Sequence, residues 1–215
     1  MHERLRDLRK KEIRLTESYN LEAKVVDPLN VVLVTPRNHF FSALSIGHLA
    51  LYDYINRTPN IPAVVDRAFF YDFLKDLEGK EGPLLGLENE KEIRRADIIG
   101  FSLSNPLEFP QFFKLMDLIR LPYKSVDREF PILVGGGHGF TNPEPMADFF
   151  DVIILGEGVQ PLEKLTTMLY ESKKRGDSKQ AFLHNARGIT GIYIPTHFDF
   201  QLNGAGKIEK INLKS

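Results

Sequence analysis

Residues 131–158 read PILVGGGHGFTNPEPMADFFDVIILGEG, and this stretch decides the fold. Pro131, Ile132, Leu133 and Val134 form a short apolar run that breaks into Gly135, Gly136, Gly137, His138 and Gly139. Val152, Ile153, Ile154 and Leu155 repeat the plan and break into Gly156, Glu157 and Gly158. A run apolar at every position, not every second one, belongs to a strand covered on both faces. Glycines straight after such a strand let the chain turn tightly and let a ligand approach the main chain.

The pattern extends outward on both sides. Val31–Val34 stops at Pro36, Ala63–Val65 is a second strand, and Ile98–Leu103, opened by Asp97, is a third. Between them the spacing predicts helices over about 42–57, 68–77 and 108–121, with another over about 160–174. The first helix carries apolar residues at Leu44, Ile46, Leu49, Leu51, Tyr54 and Ile55 and ends before Pro59. Pro122 stops the third. Strands alternating with helices give βαβ units, hence an α/β, Rossmann-like parallel sheet with helices on both faces. Ligands of such sheets bind outside the carboxyl ends of the strands, where strand order reverses. Three of those ends carry small residues: Ser102–Ser104, Gly135–Gly139 and Gly156–Gly158.

The organisation around this core is simple. Residues 1–28 read as a charged helix and linker; the helix spans about 3–18, with a thin apolar stripe at Leu5, Leu8, Ile13 and Leu15. Residues 29–175 are the α/β domain. Residues 176–215 read as a short helix and a β-hairpin appendage, with strands at Ile192–Ile194 and Phe198–Leu202, a turn at Asn203–Gly206, and Ile208, Ile211 and Leu213 beyond it.

Composition removes several functional classes. The 215 residues are 42% apolar and 27% charged with a net charge of −1, so nothing predicts a general grip on nucleic acid or an anionic membrane. No apolar run approaches the roughly 20 residues of a membrane helix. The charged start, MHERLRDLRKKEIRL, is unlike a secretory signal, and a cytoplasmic location is expected. Cysteine is absent, which removes disulfides, thiolate nucleophiles and cysteine-ligated iron–sulfur clusters from this chain.

The glycine run does not follow the GxGxxG spacing and lies late in the chain, so it is not a first-turn dinucleotide fingerprint. It is either a ligand cradle or a tight turn, and valine at Gly136 is expected to disturb it through bulk or a disallowed backbone angle. His138 is a ligand contact, an axial metal ligand or a hydrogen-bonded loop residue, and a lone histidine is a weak signal for a metal. His39 and His48 flank the first turn, with His48 on the first helix and facing solvent. Pro143 and Pro145 stiffen the loop around a solvated Glu144 and start a short helix at Met146–Phe149. Glu157 is either an acceptor for a ligand or a carboxylate favoured at a helix N-terminus. No catalytic set and no metal site emerges from the spacing.

DIIGFSLSNPLEFPQFFKLMDL (97–118), the 131–165 segment and GIYIP (191–195) together resemble the N-terminal region of radical S-adenosylmethionine (radical SAM) proteins. These are the Fe–S oxidoreductase and magnesium-protoporphyrin ester cyclase-like proteins in which a cobalamin-binding-like domain precedes the radical barrel. The resemblance covers about residues 30–210. It implies a flavodoxin-like sheet of five parallel strands, with a corrin over their carboxyl ends and the nucleotide tail between them. Ser102, Ser104, Gly135, Gly136, Gly137, His138, Gly156, Glu157 and Gly158 would line the tail, and the loop from Pro36 to Gly47 would face the corrin. Two departures stand out. The DxHxxG motif that supplies an axial histidine is missing, and there is no CxxxCxxC to hold a radical cluster. The expectation is therefore a non-catalytic, cobalamin-binding-like accessory domain acting with a radical SAM domain or subunit, in cis or in trans. A cofactor-free docking domain, with Phe40 and Phe41 filling the corrin space, is the first alternative. An enzyme using a flavin or another nucleotide at the same switch point is the second.

Overall fold

The computed structural model describes residues 25–37, 42, 45–70 and 84–214. The expected helix at 3–18 and the side chains of His39, Phe40 and Phe41 lie outside them. Five strands run parallel: β1 (Leu29–Thr35), β2 (Ala63–Phe69), β3 (Ile98–Ser102), β4 (Ile132–Gly136) and β5 (Val152–Ile154). Their spatial order is β2-β1-β3-β4-β5, so strand order reverses between β1 and β3.

The sheet has six strands rather than five. β6 (Ile192–Tyr193) pairs antiparallel with β5 through Ile153–Tyr193 and Ile154–Ile192. Tyr193 also donates its hydroxyl to Glu144 Oε1 at 2.6 Å. The expected hairpin therefore divides. Its first strand closes the main sheet, and β7 (Phe198–Leu202) pairs with β8 (Ile208–Leu213) as a separate ribbon. The helix expected at 68–77 is also corrected: Ala68 and Phe69 complete β2, and residues 71–77 lie outside the described part.

The strands are mostly apolar because both faces are covered, the chief exception being Asp66 and Arg67 of β2. One face holds α1 (Ile46–Arg57), α3 (Val159–Arg175) and α4 (Lys179–Ala186), packed on Leu33, Ile98, Val134, Val152 and Ile154 through Tyr52, Ile55, Leu162, Leu165, Leu169 and Phe182. The other holds α2 (Phe109–Ile119), whose Phe112, Leu115 and Met116 pack on Val32, Ile99, Phe101 and Ile153. Here aromatic edges meet faces: Phe101 and Phe112 lie 4.9 Å apart, and Phe140 and Phe150 5.1 Å. At the outer edge, the Asn56 side chain acts as a surrogate strand, donating to Val65 O at 3.0 Å and accepting from Val65 N at 2.9 Å.

A buried polar knot ties α4 to the sheet. Asp151, fully buried, accepts from Leu133 N at 2.7 Å and from Ser125 Oγ, and faces Lys179 Nζ at 2.7 Å and Arg128 Nη2 at 3.5 Å. Lys179 also donates to the carbonyls of Ser125 and Arg128 at 2.5 and 2.6 Å. Burial lowers the Arg128 pKa, and Asp151 opposes that shift. The three charges are buried but richly hydrogen-bonded, the condition under which buried ion pairs hold.

Candidate functional site

Side chains alternate across a strand, so Gly100 and Ser102 of β3 share a face, as do Val134 and Gly136 of β4. That face lies under α1 and α3. Because Gly100, Ser102 and Gly136 are small, the layer between the two helices is hollow at the strand ends. The result is a cleft of about 400 Å³, within the range of small-molecule sites. Leu33, Leu51, Val134, Ile154 and Leu162 make its walls apolar.

All nine residues expected at the site line this one cleft: Ser102 and Ser104 at the end of β3, Gly135 to His138 at the end of β4, and Gly156 to Gly158 after β5. Their roles differ. Ser104 gives its hydroxyl to Arg37, whose Nη2 donates to it at 2.6 Å, while its amide donates to Glu108 Oε2 at 2.7 Å. Arg37 Nε also lies 3.4 Å from Glu108 Oε1. This clasp ties the loop after β1 to the loop after β3 at the cleft mouth. Glu157 accepts from Val159 N at 2.6 Å and Gln160 N at 3.5 Å, so the helix-terminus reading describes it. His138 is exposed at the rim, on a 3-10 turn whose carbonyl accepts from Thr141 Oγ1 at 2.8 Å.

The glycine run is built for packing at some positions and for space at others. A Cβ on Gly135 would sit 2.6 Å from the Phe140 ring, and one on Gly139 3.0 Å from Leu103 O. Gly137 has φ +101° and ψ 174°, and its Cβ would lie 2.4 Å from Leu103 O. The two loops are stitched there by Leu103 N to Gly136 O and Gly139 N to Leu103 O, both 2.9 Å. Gly136 is the exception: its Cβ would meet Ile154 Cβ only at 4.0 Å. The expected damage from valine at Gly136 therefore moves to its neighbour Gly137, because Gly136 faces the open cleft.

Three further expectations are corrected. Glu144 is half-buried and holds the Tyr193 hydroxyl, which together with burial raises the tyrosine's pKa. The 3-10 helix there starts at Glu144 itself, not at Met146. His48 does not face solvent. It is 2% exposed, lines the cleft, and lies with Tyr52 and Ile55 on the buried stripe of α1. The i, i+4, i+7 spacing of His48, Tyr52 and Ile55 carries this signal, whereas Ile46 is 82% exposed. Burial, then the guanidinium charges of Arg67 and Arg37, lower the His48 pKa from 6.5 to about 3, so its ring is neutral at physiological pH. Arg67 is paired with Glu88 at 2.6 Å and stacks over Tyr52 at 5.0 Å.

Fold and cleft together define a doubly wound α/β domain with a ligand-sized site at the carboxyl ends of its parallel strands. Residues 47–195, more than half of the chain, match the family described as radical SAM proteins, N-terminal, and the chain belongs to that family. No curated protein and no solved structure matches it. Among the described residues, no three His, Cys, Asp or Glu side chains gather as a metal site, and no helix is long and apolar enough to cross a membrane.

Proposed function

We propose that this domain holds the nucleotide tail of a cobalamin in the cleft, with the corrin outside over the strand ends, and serves a radical SAM catalytic domain in cis or in trans. The observation that supports this best is the meeting of Ser102, Gly135–His138 and Gly156–Gly158 around one apolar-walled cavity between α1 and α3. Its volume suits a nucleotide-sized group and leaves the larger ring outside. The apolar walls would take a planar base, and the glycine backbones would lie against the sugar and phosphate. The reading requires no protein ligand to cobalt, in keeping with the missing DxHxxG. With no cysteine in the chain, the radical cluster belongs to the partner.

Titration of the purified protein with hydroxocobalamin tests the proposal by absorbance and by co-elution on gel filtration. A saturable spectral change with stoichiometric co-elution is expected. Free cofactor separating cleanly from the protein at high micromolar concentration would refute cobalamin binding.

A second reading, a docking domain without cofactor, draws on the β7–β8 ribbon. Phe198 and Phe200 oppose Leu213 and Ile211, so one face is apolar over that stretch, with Ile211 and Leu213 58% and 60% exposed. An isolated two-stranded ribbon is marginal in water unless its apolar face packs against something. Failure of hydroxocobalamin, flavin and nucleotides to bind, with retained association to a radical SAM partner, would favour this reading.

A further inference from the structure

Among the described residues, the cleft lining contains one buried polar side chain without a partner. His48 is 2% exposed, and neither Nδ1 nor Nε2 has a hydrogen-bond partner among them. The Phe69 ring lies 6.0 Å away and tilted. A neutral imidazole carries one donor and one acceptor, and buried polar groups are nearly always paired. A histidine kept only for structure would be expected to pair with a nearby carbonyl, as Asn56 does on the same helix. His48 instead lines the cavity, in the first turn of a 12-residue helix that has no acidic residue in that turn.

The surroundings specify what would meet it. Arg37 and Arg67 act on the ring electrostatically, and the N-termini of α1 and α3 both open on the cleft. Both arginines are paired, with Glu108 and Glu88, and Glu157 caps α3, so it is the uncapped N-terminus of α1 that favours an electron-rich atom beside the ring. Leu33, Leu51, Val134, Ile154 and Leu162 make much of the remaining wall apolar, which suits an atom carried on an apolar or planar body. We infer that His48 is a ligand-contacting residue of the cleft, donating its imidazole N–H to a phosphate or carbonyl oxygen of such a ligand. This rests on the reading of the cleft as a ligand site, and the test separates the two claims.

The full chain is labelled with ¹⁵N-histidine, the His48 resonances are assigned by their loss in His48→Gln, and hydroxocobalamin is titrated in. The His48 imidazole nitrogens are expected to shift with the binding isotherm. His48→Phe should bind roughly tenfold more weakly, the loss of one good hydrogen bond, while His48→Gln, which keeps a donor, should stay close to wild type. Thermal melts establish that both variants are folded. Equal binding by wild type and His48→Phe, with unmoved imidazole signals, would overturn the role of His48 and leave cobalamin binding intact. If hydroxocobalamin does not bind at all, the cofactor assignment fails. Flavin mononucleotide, a planar body bearing a phosphate, then decides His48 alone: shifted imidazole signals uphold its role, and unmoved signals overturn it.

Discussion

Replacing Gly137 by alanine tests how the strand-end loops are held. At φ +101° and ψ 174° the backbone lies in a region that is essentially closed to residues with a Cβ, and forcing one there costs about 1–3 kcal/mol. The added Cβ would also sit 2.4 Å from Leu103 O, a backbone atom whose loop is pinned by two 2.9 Å hydrogen bonds. Relieving such an overlap in a packed region costs a further ~1–3 kcal/mol. The sum, about 2–6 kcal/mol, is a large share of the roughly 5–15 kcal/mol that stabilises an ordinary domain. For a chain of this size it lowers Tm by roughly 5–20 °C. Gly136→Ala is the matched control, since its Cβ meets nothing nearer than 4.0 Å and should change stability by under about 1 kcal/mol. Urea unfolding followed by circular dichroism measures both. Should Gly137→Ala prove as stable as wild type, or Gly136→Ala the weaker of the two, this account of the loop is wrong.

Three other outcomes are expected. Asp151→Ala leaves Lys179 and Arg128 buried without their carboxylate and should cost about 3–5 kcal/mol in urea unfolding. Tyr193→Phe removes the hydrogen bond that ties β6 to Glu144 and should cost about 1 kcal/mol, read as a small drop in Tm without a change in far-UV spectrum. For His48, the folded pKa of about 3 lies below the ordinary 6.5, so the unfolded chain takes up the proton first. Stability from this group is intact above pH 6.5 and falls as pH drops toward 3, by a total on the order of 5 kcal/mol at 1.36 kcal/mol per unit of pKa. Burial raises the Asp66 pKa and acts in the opposite sense, so the diagnostic is the difference between wild type and His48→Gln. The variant's pH–stability curve should be flatter between pH 3 and 6.5, and parallel curves would show that His48 does not titrate in this way.

Legibility differed with the kind of signal. β1, β3, β4 and β5 were readable because their runs are short, largely apolar and rich in Val and Ile, with Gly or Pro close by, which sets them apart from buried helix segments. β6 was read as part of a hairpin because a two-residue edge strand carries no period of its own; only Tyr193 facing Glu144 across the sheet edge marks its place. β2 ran on through Asp66 and Arg67, charged residues that look like a helix start, because both find buried partners. Asp66 accepts from the amides of Arg67 and Glu88 at 2.7 Å, and Arg67 pairs with Glu88. No pattern in a single sequence reports such pairing. His48 was misplaced for a related reason: its neighbours Ile46 and Leu49 are apolar, but the buried stripe runs through His48 and Tyr52.

The glycine run also shows why a residue type alone is poor evidence for a ligand. Gly135 and Gly139 are small because Phe140 and Leu103 occupy the space a side chain would take, and Gly137 adds a backbone angle to the same demand. These three would be required in a domain that bound nothing. The positions that bear on binding are the ones where a side chain would meet almost nothing. Among the described residues, a Cβ at Gly47, Gly136 or Gly156 would meet nothing nearer than 4.0 Å, and all three line the cleft with His48. For Gly156 the φ of +99° supplies a backbone reason as well, but Gly47 and Gly136 have none. Space left unfilled next to a buried, unpaired imidazole is a conjunction that internal packing does not call for. The case for a ligand therefore rests on Gly47, Gly136 and His48 more than on the GGGHG run in which it was first sought.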